Sequence, residues 1–538
     1  MKQSVRIGRR IAVIASALCA ASSAQAGTPA DSTLQFSTYL GGAGPESASA
    51  VATDGQGFVY VAGATSSPDF AVTAGAYDTE FDGDGSSSDL FVAKLAPDGR
   101  RLVWATFLGG SSEEGVTEVG GSGYIVSTEP QLNLGRDGSV YVTGRTASPD
   151  FPTTEGAFDR THNGGFDGFA AKLSHDGAHL LYSTYVGGAG DDIAYLSALD
   201  RSEGLVLTGV TSSDDFPATE GAYRTTRQGV EDAFVARLAP DGGALEFATY
   251  LGGTAEDTAF GVALDRRGAP WVVGRTMSSD FPATAGAFDT THNGDEDGFV
   301  ARLTRDGSSV AFATLIGGAA HEHVAAVAVD RKGVGYVVGH TRSHEFPTTP
   351  RAFDRSYGAT PQGQEDAALY FGDDDAFAAK LGRRGRLVYS TLLGGTGRDY
   401  AFFTDVTRGG TLWLAGDTTS ADIPVTRHAF DTTFNGATAR GVATFADAWV
   451  AALSPSGSRL RYSSYFGGSA PETAWSVHVG ADSVQVAGQT FSPDFPLTAG
   501  AYDTTFAGPP VSTDGWALGL KRRKPRRIAR LHQEGGKR

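Results

Sequence analysis

Apolar runs, rich in β-branched and aromatic side chains, recur along the chain between clusters of Gly, Pro, Asp and Ser. In one stretch these runs fall at 260–264, 270–275, 298–303 and 310–316, partly alternating, and they predict four short strands. Asp265 to Gly268 and Asp306-Gly307 supply the turn chemistry between them. Only the first residues of the chain carry an apolar pattern outside this scheme.

The same four-strand pattern repeats, and three marks count it. A Gly-Gly pair follows an aromatic-rich strand at 41-42, 109-110, 187-188, 252-253, 317-318, 394-395 and 467-468. An acidic-plus-apolar pair recurs at Asp69-Phe70, Asp150-Phe151, Asp215-Phe216, Asp280-Phe281, Glu345-Phe346, Asp422-Ile423 and Asp494-Phe495. An aspartate stands two residues before an aromatic ring at Asp89, Asp167, Asp232, Asp297, Asp375, Asp447 and Asp514. Seven four-stranded units without helices predict an all-β, seven-bladed β-propeller, which protects its sheet edges by radial repetition. The chain opens with a run, Leu34–Leu40, of the fourth-strand type, and its last run, 515–520, is of the third-strand type. The N-terminal strand is therefore expected to close the last blade, with 34–520 forming one propeller domain.

Several of these motifs carry a resemblance. Tyr-Ser-Thr-Tyr-Val-Gly-Gly at 182–188, Val-Tyr-Val-Thr-Gly at 140–144, Asp-Phe-Pro-Thr-Thr at 150–154 and Asp-Ala-Phe-Val-Ala-Arg-Leu at 232–238 resemble the bacterial seven-bladed propeller repeat, the SBBP repeat. The resemblance spans about 34 to 520. It implies a propeller in a secreted or surface bacterial protein and brings no catalytic residues with it. The second unit departs from it by an insertion between Glu114 and Asp137, and the fifth is long between Phe353 and Asp375.

Charge narrows the partners. The 538-residue chain has a formal net charge of -17, but its ends are basic. Residues 1–26 carry four basic groups and no acid, whereas 521–538 carry nine basic groups and one acid. The body between them stands at -29, which disfavours nucleic acid and anionic membrane as its partners. Residues 1–26 read as a signal peptide: Lys2, Arg6, Arg9 and Arg10, a short apolar run, then Ala24-Gln25-Ala26. The single cysteine, Cys19, lies inside it after Leu18, a poor setting for lipidation. Residues 27–33 read as a linker and 521–538 as a disordered basic tail. The expected location is secreted or periplasmic, without a membrane span.

Candidate chemistry sits on one face. Second-to-third connections are long, and they share a face with the connections that lead into each first strand. Four residues after the second glycine of each Gly-Gly stands an acid: Glu46, Glu114, Asp192, Asp257, Glu322, Asp399 and Glu472. These acids are expected to ring the axis, either as a cation-attracting rim able to hold Ca²⁺ or as carboxylates fixing each loop. Asp82, Gly83 and Asp84 before Asp89 have a loose calcium-loop look. The fifth unit breaks the pattern with His321, His323, His340 and His344. His321, His323 and His340 are candidate ligands for Zn²⁺ or a similar metal, against the simpler reading of surface histidines. Thr161-His162-Asn163-Gly164 and Thr291-His292-Asn293-Gly294 read as loop turns. No nucleophile elbow, phosphate loop or nucleotide fingerprint is present. The expectation is a monomeric, non-catalytic binding or scaffolding propeller for an envelope glycan or protein. The alternative is an extracytoplasmic enzyme, polysaccharide-acting or metal-dependent, with its site at the channel mouth.

Overall fold

The computed structural model describes residues 34–83, 87–115, 130–358, 374–436, 438–439, 442–443, 446–508 and 512–522. The expected leader and linker (1–33), Asp84, both long insertions (116–129 and 359–373) and the expected tail beyond Arg522 lie outside the described residues.

Seven four-stranded antiparallel blades form a ring. Blade four shows the pattern: Asp257–Leu264, Pro270–Thr276, Asp297–Leu303 and Val310–Ile316, paired in that order from axis to rim. The inner strand begins three residues before the apolar run, because the leading acid pairs with the last threonine of the second strand, Asp257 with Thr276. First strands of successive blades touch one another all round the axis. In blades two and six the inner strand shortens to Gln131–Leu134 and Phe403–Val406. In blade two this follows the inserted segment.

Closure is as expected. Leu34–Leu40 pairs antiparallel with Asp514–Lys521 and completes blade seven as its outer strand. Phe36 then does what the matching ring does in other blades. It packs beneath Gly99, a turn glycine with φ of 65°, where a Cβ would lie 2.2 Å from the ring. Tyr182 stands in the same way under Gly242, so left-handed backbone and close approach both demand glycine there.

The core lies between blades. Side chains alternate across a strand, so consecutive residues enter opposite interfaces. Val272 and Phe299 pack towards blade three, whereas Val273 and Val300 pack towards blade five. Seven such apolar clusters fill the seven interfaces. Because both faces of each sheet are buried, the second and third strands read as nearly continuous apolar runs.

Candidate functional site at the channel mouth

The ring of acids lies at the blade junctions. All seven are at most 1% exposed. Glu46 accepts the Gly42 N–H at 3.0 Å, the Thr65 hydroxyl at 2.8 Å and the Ser67 hydroxyl. Glu322 accepts Gly318 N–H at 2.8 Å and the Thr341 hydroxyl at 2.6 Å. Asp192 and Asp257 bind the N–H groups of Gly188 and Gly253, and Asp399 binds that of Gly395. Glu114 and Glu472 repeat the scheme with Gly110 and Gly468. The carboxylates thus tie each Gly-Gly to the end of a second strand instead of lining a solvent rim. Burial raises the Glu46 and Glu114 carboxyls to about 7 and that of Glu472 to about 8.

The third-strand aspartates do related work. Asp167 and Asp297 accept the N–H of Asn163 and Asn293, which fixes the two Thr-His-Asn-Gly turns.

Rings at other positions cluster towards the axis. In most inner strands a β-bulge inserts one residue three places after the leading acid and aims it inward. In blades three, four and seven that residue is Tyr195, Phe260 and Trp475, and the corresponding residue of blade six is Phe402. Together with His323, His340 and Tyr400 they form a continuous arc of rings. Successive centroids lie 5.5 Å (Tyr195–Phe260), 5.7 Å (Phe260–His323), 4.8 Å (His323–His340) and 4.4 Å (His340–Tyr400) apart. Tyr400–Phe402 at 5.4 Å and Phe402–Trp475 at 5.0 Å complete it. Tyr195, Phe260 and Phe402 are half-buried, leaving part of each ring open to the channel.

Ion pairs frame the arc. Arg145 binds Glu113 at 2.9 Å and stacks on Phe166. Arg275 binds Glu296, Arg342 reaches Asp374 at 3.2 Å, and Arg398 reaches Asp417 at 3.5 Å. Half-buried Glu231 and Glu256 stand at the strand starts beside Arg275. Burial first, and then the Glu256 charge, raises the Glu231 carboxyl.

Two of the three candidate histidines converge on a carboxylate, and the third packs against one of them. His321 Nδ1 lies 3.1 Å and His323 Nε2 3.2 Å from the same oxygen, Oε2 of Glu296. Burial pushes Glu296 up, yet these two histidines and Arg275 overcome it and hold the carboxyl far below its usual range. The Glu296 hydrogen bond raises the His321 imidazole. His340 is 7% exposed, and neither ring nitrogen has a hydrogen-bond partner. Burial, and then the charges of His323 and Arg342, hold it well below its usual value, so it is neutral. With Glu296 already committed to Arg275, and Arg342 beside His340, this donor set does not suit a dication. Among the described residues no group of three or more His, Cys, Asp or Glu side chains is placed to hold a metal ion. His344 stands apart, its ring tilted against that of Tyr357 with centroids 4.4 Å apart.

Residue-type breaks in the repeat pointed to the histidines. The aromatic arc and the acidic partners Glu296 and Asp374 had a weaker signal. They occupy fixed places in each unit, but only the bulge shows that the former face the axis.

The SBBP beta-propeller repeat family matches residues 35–71, the closing strand and the start of blade one. No curated protein matches the chain. Among solved structures, a Dyadobacter fermentans protein of unknown function has 10% identity over 91% of this chain and 99% of its own, with a TM-score of 0.39. BamB of Moraxella catarrhalis has 9% identity over 89% and 99%, with a TM-score of 0.33. A polysaccharide lyase, ulvan lyase, has 9% identity over 84% and 92%, with a TM-score of 0.41. The blades themselves carry the fold assignment, and these likenesses carry nothing about activity. Among the described residues no helix is long and apolar enough to cross a membrane.

Proposed function

We propose that the protein is an exported, non-catalytic binding propeller that takes a glycan segment at the channel mouth of its loop-rich face. The observation that carries this reading is the arc of rings from Tyr195 to Trp475, with three half-buried rings beside already-neutralised Arg–carboxylate pairs. Sugar rings stack their apolar faces on aromatic side chains, while their hydroxyls bond to flanking polar groups. The signal-peptide character of residues 1–26 supports export. Replacing Tyr195 and Phe260 by alanine should weaken glycan binding by about tenfold or more, since each stacked ring contributes roughly 0.5–1.5 kcal/mol beyond its area. A binding isotherm unchanged in the double variant, with the fold intact, overturns the assignment.

One observation favours a second reading, a polysaccharide-acting enzyme. Glu231 is a half-buried acid with a raised carboxyl beside Glu256, the environment that suits a proton donor. In that case soluble product accumulates from a polysaccharide, and Glu231→Gln stops it without loss of binding.

A further inference from the structure

The opposite face, built from tight turns, carries a different surface. A cavity of about 690 Å³ opens there, lined by the first-to-second turns of blades two to five. Each of those turns places an arginine at the same point: Arg136, Arg201, Arg266 and Arg331, spaced 65 residues apart. Arg267 and Arg305 add to the lining. All six are exposed.

The acids of this cavity are already spent. Asp200 Oδ1 caps its own turn through Ser202 N–H at 2.7 Å and Gly204 N–H at 3.0 Å, and Oδ2 holds buried Arg237 at 2.6 Å. Asp265 caps Arg267 and Ala269 N–H and binds Arg302 at 2.5 Å. Asp330 caps Lys332 and Val334 N–H. Glu203 takes the Arg136 N–H, the Tyr141 hydroxyl and Lys172. Among the described residues, Arg136, Arg201, Arg266 and Arg331 form no ion pair, and Arg305 reaches Asp200 only at 3.6 Å. The chain also leaves the ring on this face: Arg522 binds the Ala481 carbonyl at 2.7 Å in the inner turn of blade seven. In a body of strongly negative net charge, this is a local concentration of uncompensated guanidinium.

We propose that this cavity is a binding site for a compact polyanion bearing several sulfate or phosphate groups. Guanidinium forks match such oxyanions bidentately, and converging arginines select multiple anionic groups over one. The concave shape admits a single chain or a small ion. It turns away a duplex or a flat bilayer, which the surrounding acidic body would also repel.

The test is calorimetric titration of the full chain with two probes, inorganic tripolyphosphate and a sulfated heparin tetrasaccharide. The wild type binds at least one of them about one to one, more weakly as salt rises. The preferred probe identifies phosphate or sulfate as the source. Arg201→Glu/Arg266→Glu/Arg331→Glu weakens binding about a hundredfold or more, whereas Arg351→Glu/Arg427→Glu on the loop-rich face leaves it unchanged. The triple Arg→Gln variant, checked for an intact melting transition, guards against misfolding and should show the same direction of loss. Wild-type affinity in both triple variants overturns the proposal. So does binding of neither probe, or binding only of duplex DNA or anionic vesicles. Tyr195→Ala/Phe260→Ala retains polyanion binding, so the two faces succeed or fail separately.

Discussion

The blade junctions should make stability fall as pH rises, opposite to the usual behaviour of buried ion-paired acids. At each junction an acid opening an inner strand stands across a glycine from a third-strand aspartate. A Cβ on Gly187 would lie 2.3 Å from Asp167 Oδ1 and 3.0 Å from Asp192 Oδ2. Oδ1 of Asp89, Asp167, Asp297, Asp447 and Asp514 is buried with no hydrogen-bond partner. One proton held by each of these five pairs would supply the missing donor, and the pair would then titrate as a unit. Burial raises Asp89, Asp167 and Asp447 to about 7 and Asp514 to about 6, and raises the inner-strand acids likewise. For such groups the stabilisation is complete below the unfolded pKa, near 4, and is lost as pH climbs through the folded values, about 6 to 8. One bound proton more in the native state costs about 1.4 kcal/mol for each pH unit gained. Five such junctions acting fully would give about 7 kcal/mol per unit, comparable with the whole stability of many domains. Relaxation at the junctions therefore has to blunt the slope, and a net loss of about 2–4 kcal/mol per unit between pH 6 and 8 is expected. His340, neutral when folded, opposes this by up to one proton, whereas His321, raised by Glu296, adds to it. Glu296 is ionised in both states across this window. Urea unfolding at pH 6, 7 and 8 at constant ionic strength measures the slope. A stability that stays flat or rises over that interval refutes the shared proton.

Two further outcomes follow from the geometry. Deleting Leu34–Leu40 exposes the edge of Asp514–Lys521 and removes Phe36 and Leu40 from the interface between blades seven and one. The variant should melt at lower temperature or aggregate, and an unchanged calorimetric transition would remove the closing role. Millimolar Ca²⁺ or Zn²⁺ should leave the melting temperature unchanged, because the junction acids and the histidines are already bound within the protein. A chelator-reversible rise would instead assign a metal to one of those sets.

How much could be read in advance depended on whether a residue obeyed the repeat. Gly41-Gly42, Asp89 and their counterparts recur because each junction needs the same backbone approach and the same caps, so fold and ring closure were legible from spacing alone. The acids Glu46 to Glu472 were equally visible, but spacing cannot tell a solvent rim from a buried tie. That distinction comes from the Thr65 and Ser67 hydroxyls, which reach Glu46 only when the second strand lies against the inner one.

The site residues proved harder because the proposed site uses departures from the repeat whose direction depends on local backbone. His321, His323 and His340 stood out by type, yet Glu296, the common partner of the first two, belongs to the preceding blade and looks like an ordinary loop acid in sequence. In a regular strand Phe260 and Trp475 would share the face of Val262 and Val477, two residues on. The bulge rotates them to the axis, against the alternation that carries Val262 or Val477 into the interfaces. On the opposite face the obstacle was net charge. Each Asp-Arg pair in the turns of blades three to five sums to zero in the sequence, but the aspartate turns inward to cap backbone, with Asp200 and Asp265 also binding Arg237 and Arg302, while the arginine stays out. A body that counts as acidic can therefore present a basic cavity, because structure spends the two signs of charge in different places.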